Sequence, residues 1–311
     1  MGWHALRAAG ESVAATRDLL SSASLVAWAR LSVLVLFVGT LITPFLIDFS
    51  RGTALLASVP DSATLPLIAA GIVVVGVALC VGAIFEFVFL DALRGERVRL
   101  LAGSERRFHA GLQVFAFRAT LTLTLGGVLV AVVLVGTPTA LLVAAGAVVV
   151  VLAALDRLTV AFVVPIMLLE DCSLPEGWRA FSPTLRAEWR EYAIYLLIVT
   201  ALWTAIAVGG GLLGALVAFV LLVPFATLGT AVGGALLARG LSEGVVSQAV
   251  VGTLAGPFVL AFVSVVLLVH VPLIAYLRYV ALFVLGDTTE RYDPIPRIRA
   301  AIRRDRTSPE V

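Results

Sequence analysis

The sequence predicts an all-α fold, a polytopic membrane helix bundle of about six transmembrane helices with amphipathic interfacial helices on the inner face. Three observations lead there. Hydrophobic residues fill 61% of the 311 positions and charged ones only 14%, and the mean hydropathy is +1.08, too apolar for a water-soluble domain. Several uncharged runs reach the ~20 residues that carry a helix across a hydrocarbon core of ~30 Å. These runs do not alternate apolar and polar residues as the strands of a membrane barrel would.

Six apolar segments follow in order, at about 25–47, 65–90, 118–135, 139–169, 192–237 and 250–286. Charge orients them. All 22 basic residues are Arg, and the net charge is only +2. The loop 94–118 carries Arg94, Arg97, Arg99, Arg106, Arg107 and Arg118, whereas 48–64 and 136–139 hold only Arg51 between them. The 94–118 loop is therefore expected in the cytoplasm. Arg179, Arg186 and Arg190, and the Arg-rich end of the chain, go to the same side. Both termini are then cytoplasmic and the protein lies in the cell membrane.

An even number of crossings must follow residue 190, which bears on the long run 192–237. Its Gly209-Gly210-Gly211 would suit a hairpin, but a hairpin strands the basic end outside. We therefore expect one long helix over about 192–223, an external piece over 224–248 beginning at Pro224, and a last span from about 250. Residues 1–286 form a single transmembrane helical domain, and 287–311 a basic cytoplasmic C-terminal tail. The first twenty residues lack the continuous apolar core of a signal peptide and are expected to be retained. Pro44, Pro165, Pro224, Pro257 and Pro272 are compatible with broken helices but are common in membrane helices anyway.

A weak threefold pattern runs through the chain. Each pair of crossings is introduced by an amphipathic segment ending in an aromatic–Arg pair. Trp3, Leu6, Val13 and Leu20 lead to Trp28-Ala29-Arg30; Leu100, Leu101, Phe108 and Leu112 lead to Phe117-Arg118; Trp178, Phe181, Leu185 and Trp189 lead to Trp189-Arg190. Such segments suit the headgroup layer. Trp178, Arg179, Arg186, Trp189 and Arg190 are the expected interfacial lipid contacts. Within the same region, Pro165 to Leu169 ends a span, Glu170 and Asp171 form a polar turn, and Ser173 with Glu176 makes a capping box. Ser182-Pro183 offers a second helix start.

Catalytic groups are sparse. His4, His109 and His270 are far apart, with no metal-ligand spacing, and Cys80 and Cys172 read as packing thiols, so no metal and no cofactor is expected. Gly209-Gly-Gly-Leu-Leu-Gly214 fits the dinucleotide fingerprint by letter only, with no acid about 20 residues on. Gly210 and Gly214, Gly229 and Gly233, and Gly252 and Gly256 instead have the spacing that lets helices approach closely. A catalytic constellation is absent, and the expected class is not an enzyme.

The charges set in apolar runs form a candidate polar cluster: Glu86, Asp91, Arg94, Asp156, Arg157 and Arg278. A charge at the bilayer centre costs about 2.5–3.5 kcal/mol on insertion scales, so each must meet protein, water or headgroups. We favour acid–Arg pairs at the inner boundary over a transport pathway, because nothing polar marks the outer half of the same helices.

With these residues in view, FEFVFLDALRGERVRL, LQVFAFRATL, WRAF and AYLRYVALFVLGD resemble a family of uncharacterised multi-pass membrane proteins of halophilic archaea. More remotely, VVPIMLLED with WRAFSPTLRAEWREY is similar to the membrane domain of glycerophosphoryl diester phosphodiesterases and related six-span proteins. Pro165, Glu170, Ser182 and Trp189-Arg190 would match that domain's Pro, acid, Ser and aromatic–basic pair. The catalytic barrel of those enzymes has no counterpart here, so the resemblance implies a membrane module and not an activity. The expected partners are the lipid bilayer, anionic headgroups or a protein at the cytoplasmic face, and no nucleic acid; the alternative is a small-solute transporter.

Overall fold

The computed structural model describes residues 4–38, 61–95, 100–135 and 139–307. The outer end of the first predicted span, Trp3, Pro44, Arg51, Arg97 and Arg99, and the last four residues of the chain, lie outside the described residues. Every element described is helical. In chain order they are α1 (His4–Ser22), α2 (Leu25–Val38), α3 (Asp61–Leu93), α4 (Leu100–Val135), α5 (Thr139–Leu158), a π-helical turn (Thr159–Val163), α6 (Val164–Glu170), α7 (Leu174–Ala187), α8 (Trp189–Ala238), α9 (Glu243–Thr288), a 3-10 turn (Glu290–Tyr292) and α10 (Pro296–Thr307).

Five helical stretches are long and apolar enough to cross a membrane: Leu65–Leu93, Leu100–Val132, Thr139–Glu170, Trp189–Ala238 and Glu243–Thr288. The described part of the first predicted span, Leu25–Val38, is shorter. By its contacts the chain divides into two compact units, Met1–Leu196 with Leu273–Val311, and Leu197–Pro272.

In the first unit, glycines set the closest helix approaches. A Cβ on Gly82 would stand 2.7 Å from the Phe37 carbonyl oxygen, and one on Gly111 would stand 2.7 Å from the Ile84 Cα. Thus α2 and α4 both lie directly on α3, at backbone distance. The core follows from there: Ala83, Phe87, Phe89 and Leu93 of α3, Phe162 to Leu168 around the π turn, and Tyr279 to Leu285 of α9 are buried. The π turn directly precedes Pro165, whose ring would clash with a carbonyl one turn back in a regular helix. It presents Phe162 to a ring cluster, with Phe181 stacked at 5.4 Å and Tyr192 and Tyr195 edge-on at 4.9 and 4.8 Å.

The second predicted amphipathic segment is not a separate helix, because α4 runs unbroken from Leu100 into the apolar run. Nor does a second helix start at Ser182-Pro183. α7 continues through Pro183 to Ala187, and the Ser182 hydroxyl donates to the Arg179 carbonyl, the acceptor that proline leaves without its usual N–H.

The second unit is a helical hairpin, and here the expected boundaries are wrong. Pro224 lies inside α8, which does not stop near 223; the 50-residue helix ends only at Ala238. The chain turns at Arg239–Ser242. Gly240 has φ +84, its N–H donates to Leu237 and that of Leu241 donates to Leu236, the Schellman arrangement that closes a helix on a C′ glycine. α9 then runs 46 residues through Pro257 and Pro272. The expected external piece 224–248 is therefore mostly helix. Of the three glycine pairs, Gly229 and Gly233 receive Val246, Val250 and Leu254 of α9, Gly210 and Gly214 only approach His270 and Phe262 at 3.9 Å, and Gly252 and Gly256 face open space.

Candidate functional site

The predicted cluster of charges divides between two ion-pair groups, and a third group of other residues joins them within the first unit. The innermost joins four helices. Glu86 of α3, 1% exposed, accepts from one terminal nitrogen of Arg278 on α9 at 2.6 and 2.7 Å. Arg118 of α4 stands 3.7 Å from the same carboxylate and donates through Nε to Asp156 of α5 at 2.9 Å. Arg157 lies within electrostatic reach of Asp156, Arg278, Tyr195 and Arg118. Glu86, Asp156 and Arg278 are thus brought together, and Arg118, assigned from sequence to an aromatic–Arg boundary pair, is the residue that links them.

Asp91 and Arg94 belong to a second group, more than one turn further along α3. Asp91 stands 3.8 Å from both Arg94 and Arg107, and Arg107 reaches Asp171 at 3.5 Å. Arg94 also donates to the Pro294 carbonyl at 3.2 Å. Asp171 ends α6 in the left-handed conformation, φ 50 and ψ 40, and its neighbour Glu170 pairs with Arg291 at 3.3 Å. The predicted polar turn is therefore a tie between the end of α6, α4 and the segment after α9.

The third group was not anticipated. Asp287, at the end of α9, accepts from Arg7 at 3.0 Å, Arg299 at 3.1 Å and Arg303 at 2.7 Å. Arg303 also reaches Glu11 at 3.0 Å, and Arg299 reaches Asp293 at 3.2 Å. These bonds hold α1 and α10 on the end of α9. The Arg299 guanidinium lies against Gly286, where any Cβ would collide with it, and donates to the carbonyls of Leu282 and Phe283. A cation near the C-terminal end of α9 complements the helix dipole. The basic C-terminal segment thus carries a helix, α10, on which Arg299 and Ile302 are buried, while Tyr292 and Ile295 are buried just before it. On α1 the protein-facing side is Ala8, Glu11, Ser12, Ala15 and Thr16, while Leu6 and Val13 of the predicted apolar face are exposed.

α7 behaves oppositely. Its apolar side, Leu174, Gly177 and Phe181, is buried in the protein, and a Cβ on Gly177 would meet Val163 at 2.9 Å. Phe181, expected in the headgroup layer, is fully enclosed. Trp178 is half-buried against Phe181, whereas Arg179, Arg186, Trp189 and Arg190 are exposed, with the Arg190 guanidinium 5.6 Å over the Trp189 ring. The Ser173 backbone N–H donates to Glu176 at 2.8 Å, and Gln113 of α4 accepts from Leu174 N–H at 2.8 Å. Hydrogen bonds from the Ser173 hydroxyl and backbone hold the Glu176 carboxyl below its ordinary range. Burial, with Glu176, Glu170 and Asp171 nearby, pushes the Cys172 thiol up and away from the reactive thiolate.

Among the described residues, no three His, Cys, Asp or Glu gather where they could hold a metal ion. His4 stands 3.8 Å from Asp287, His109 is exposed, and His270 bonds the Val266 carbonyl.

Helices of this length and apolarity, with their charges gathered into pairs, define a helical membrane protein. The profile of a Family of unknown function (DUF7544) matches residues 3–295, and the chain belongs to that family. No curated protein and no solved structure matches the chain.

Proposed function

We propose that the protein is a non-enzymatic module of the cell membrane, with six spans and both termini cytoplasmic, that engages anionic lipid headgroups or a partner at its inner face. One observation carries this reading: along α3 and α5, burial changes close to Glu86 and Asp156 of the charge layer. Residues 65–80, 119–128 and 139–154 are exposed or half-buried, whereas Phe87 to Leu90 and Leu158 to Leu168 are buried. The apolar stretches that run up to the charge layer, 65–85, 119–135 and 139–155, measure about 32, 26 and 26 Å at 1.5 Å per residue. Each matches one hydrocarbon thickness of ~30 Å. The membrane edge then falls at the charge layer, and the packed, ion-paired core forms a head on the cytoplasmic side.

Around that head the acids Glu11, Glu86 and Asp287 are turned inward onto arginines, while Arg179, Arg186, Trp189 and Arg190 are turned out. Guanidinium and indole together suit an anionic headgroup surface, worth about 1 kcal/mol per Arg. The exposed Leu6 and Val13 of α1 give it an outward apolar side for the same layer. A transporter using Glu86 is less well supported, since a carried ion would have to displace Arg278 from both carboxylate oxygens. The resemblance to multi-pass proteins of halophilic archaea, and to the membrane domain of glycerophosphoryl diester phosphodiesterases, belongs with this reading, which needs no catalytic group.

Protein reconstituted in mixed anionic and zwitterionic bilayers should concentrate anionic lipid around itself, as read by lipid recovered with it. The triple change Arg179→Gln, Arg186→Gln, Arg190→Gln should remove most of that enrichment. Equal recovery of both lipid types with the unchanged protein would sink the headgroup reading.

A further inference from the structure

The α8–α9 hairpin is too long for one bilayer. The 47 residues 192–238 of α8 hold no charge, and at 1.5 Å per residue they make about 70 Å of helix, more than twice a hydrocarbon thickness of ~30 Å. On α9, Glu243 and Arg278 are 35 residues apart, about 52 Å along the helix. Kept straight, that length fits the core only at a tilt of about 55°, beyond the range of 0–40° that membrane helices adopt. Standing out into water is no remedy. The tip, 224–257, has Arg239 and Glu243 as its sole charges, and Leu228, Val232, Leu237, Val245 and Val251 are exposed on it.

Both arms carry a proline at one level. Pro224 and Pro257 lie inside α8 and α9, and the residues that follow them, Phe225 and Phe258, meet edge-on at 5.4 Å. A proline removes a backbone hydrogen bond and crowds the carbonyl four residues back, here those of Val220 and Thr253, so each helix is weakest there. Pro272 has no such counterpart, because Pro224 is the one proline inside α8. Beyond the pair, Val246, Val250 and Leu254 close on Gly229 and Gly233, which fastens the two arms of the tip into one piece. Along α9, Pro257 stands 21 residues from Arg278, about 32 Å.

We infer that the hairpin bends at the Pro224–Pro257 level and lays its tip on the outer face of the bilayer, with the lipid surface as its partner. The outer face rests on the proposed membrane edge: with the charge layer at the inner boundary, the proline pair falls one hydrocarbon thickness away. The bend leaves that thickness of hairpin in the core and puts the apolar tip against lipid, while Arg239 and Glu243 reach water at the corner. Leu228 and Leu237 are nine residues apart, hence on opposite sides of α8, and both are exposed. A second copy would cover one side; lipid packs around both.

The test uses the full chain in bilayers, with Cys80→Ser and Cys172→Ser so that nitroxide labels attach only where placed. Labels at Val208 and Leu237 of α8, both exposed, stand about 44 Å apart along a straight helix and about 31 Å apart across a right-angle bend at Pro224. The short distance is expected, and the double change Pro224→Ala, Pro257→Ala should move it toward the long one. A label at Val232 should collide with oxygen more than with a water-soluble nickel complex. A distance near the straight value in the unchanged chain would overturn the bend, and a short distance that survives the double change would overturn the proline hinge. Nickel favoured at Val232, or Val232 labels of two copies close enough to couple, would overturn the lipid surface. A label series along α9 judges the membrane edge separately, with oxygen access expected to peak near Leu268, midway between Pro257 and Arg278. A peak at Arg278 would overturn the edge and with it the tip's place at the outer face, while the distance from Val208 to Leu237 still decides the bend.

Discussion

The two units pack helices by different means. In the first, α1, α3, α4, α5, α9 and α10 are tied by buried ion pairs, and large side chains such as Phe87, Phe162, Tyr192 and Tyr279 are almost wholly enclosed. In the second, among the described residues of 197–272, only Val199, Gly233, Val246 and Val271 are buried, and Leu197, Leu212, Phe219 and Leu260 stay exposed. Glycine against valine, with Phe225 edge-on to Phe258 at 5.4 Å, holds that hairpin together. An apolar groove of about 580 Å³ lies along it, between residues such as Leu222, Gly229, Val250 and Phe258. Lipid tails are as apolar as leucine, so helices inside hydrocarbon gain little from hiding apolar side chains from them and associate through close fit. On the proposed membrane edge the first unit lies where water or headgroups are near, and there the burial of apolar surface gains free energy.

The contrast can be broken most sharply at Glu86. Glu86→Gln strands Arg278 and should destabilise the first unit by about 3–5 kcal/mol, seen as a large fall in the detergent melting temperature. The double change with Arg278→Gln should recover much of the loss. A single change as mild as the double would mean that the pair adds no cohesion.

Next in size is the end of α9. Gly286→Ala must expel the Arg299 guanidinium from the Leu282 and Phe283 carbonyls, costing about 1–3 kcal/mol. Protease should then cut earlier between α9 and α10, and an unchanged digestion pattern would argue against the cap.

In the hairpin, Gly233→Leu should push α8 from α9 for about 1 kcal/mol or somewhat more. Gly252→Leu, which meets open space, should be close to neutral. Spin-label distances across the hairpin distinguish the two, and equal widening by both would contradict the glycine contact.

The smallest effect concerns the start of α7. The depressed folded pKa of Glu176 means that its stabilisation is present above the ordinary value of 4.5 and is lost as pH falls through the lower folded value. Amide exchange at the first turn of α7 should quicken only below that range, and Glu176→Gln should flatten the response.

Sequence reading found the apolar segments because an uncharged run of ~20 residues has few alternatives to a membrane helix. It misplaced the corner of the α8–α9 hairpin by giving Pro224 more weight than Arg239-Gly240-Leu241-Ser242, although the latter carries the left-handed glycine and the next helix start. Glu86, Asp156 and Arg278 stood out as charges within apolar runs, and three-dimensional proximity then added Arg118. Glu11 and Asp287 were not assigned to a cluster, because Glu11 sits in a segment of mixed polarity and Asp287 closes an apolar run at its end. The bond from Arg303 to Glu11 spans almost the whole chain, and no local pattern records it. α7 looked like a lipid-facing helix because amphipathicity states that a helix has an apolar side and not what covers it.

The position of the membrane edge is the claim on which the rest depends. Single spin labels at exposed sites along α5, from Val143 to Val151, and onward to Arg157 and Glu170, can be scanned for collisional access to oxygen and to a water-soluble nickel complex. The account predicts oxygen access greatest near Gly146 to Val149, with nickel access rising at Asp156–Arg157 and remaining high at Glu170. An oxygen maximum centred on Asp156, with nickel excluded there, would put the charge layer in mid-membrane and contradict it.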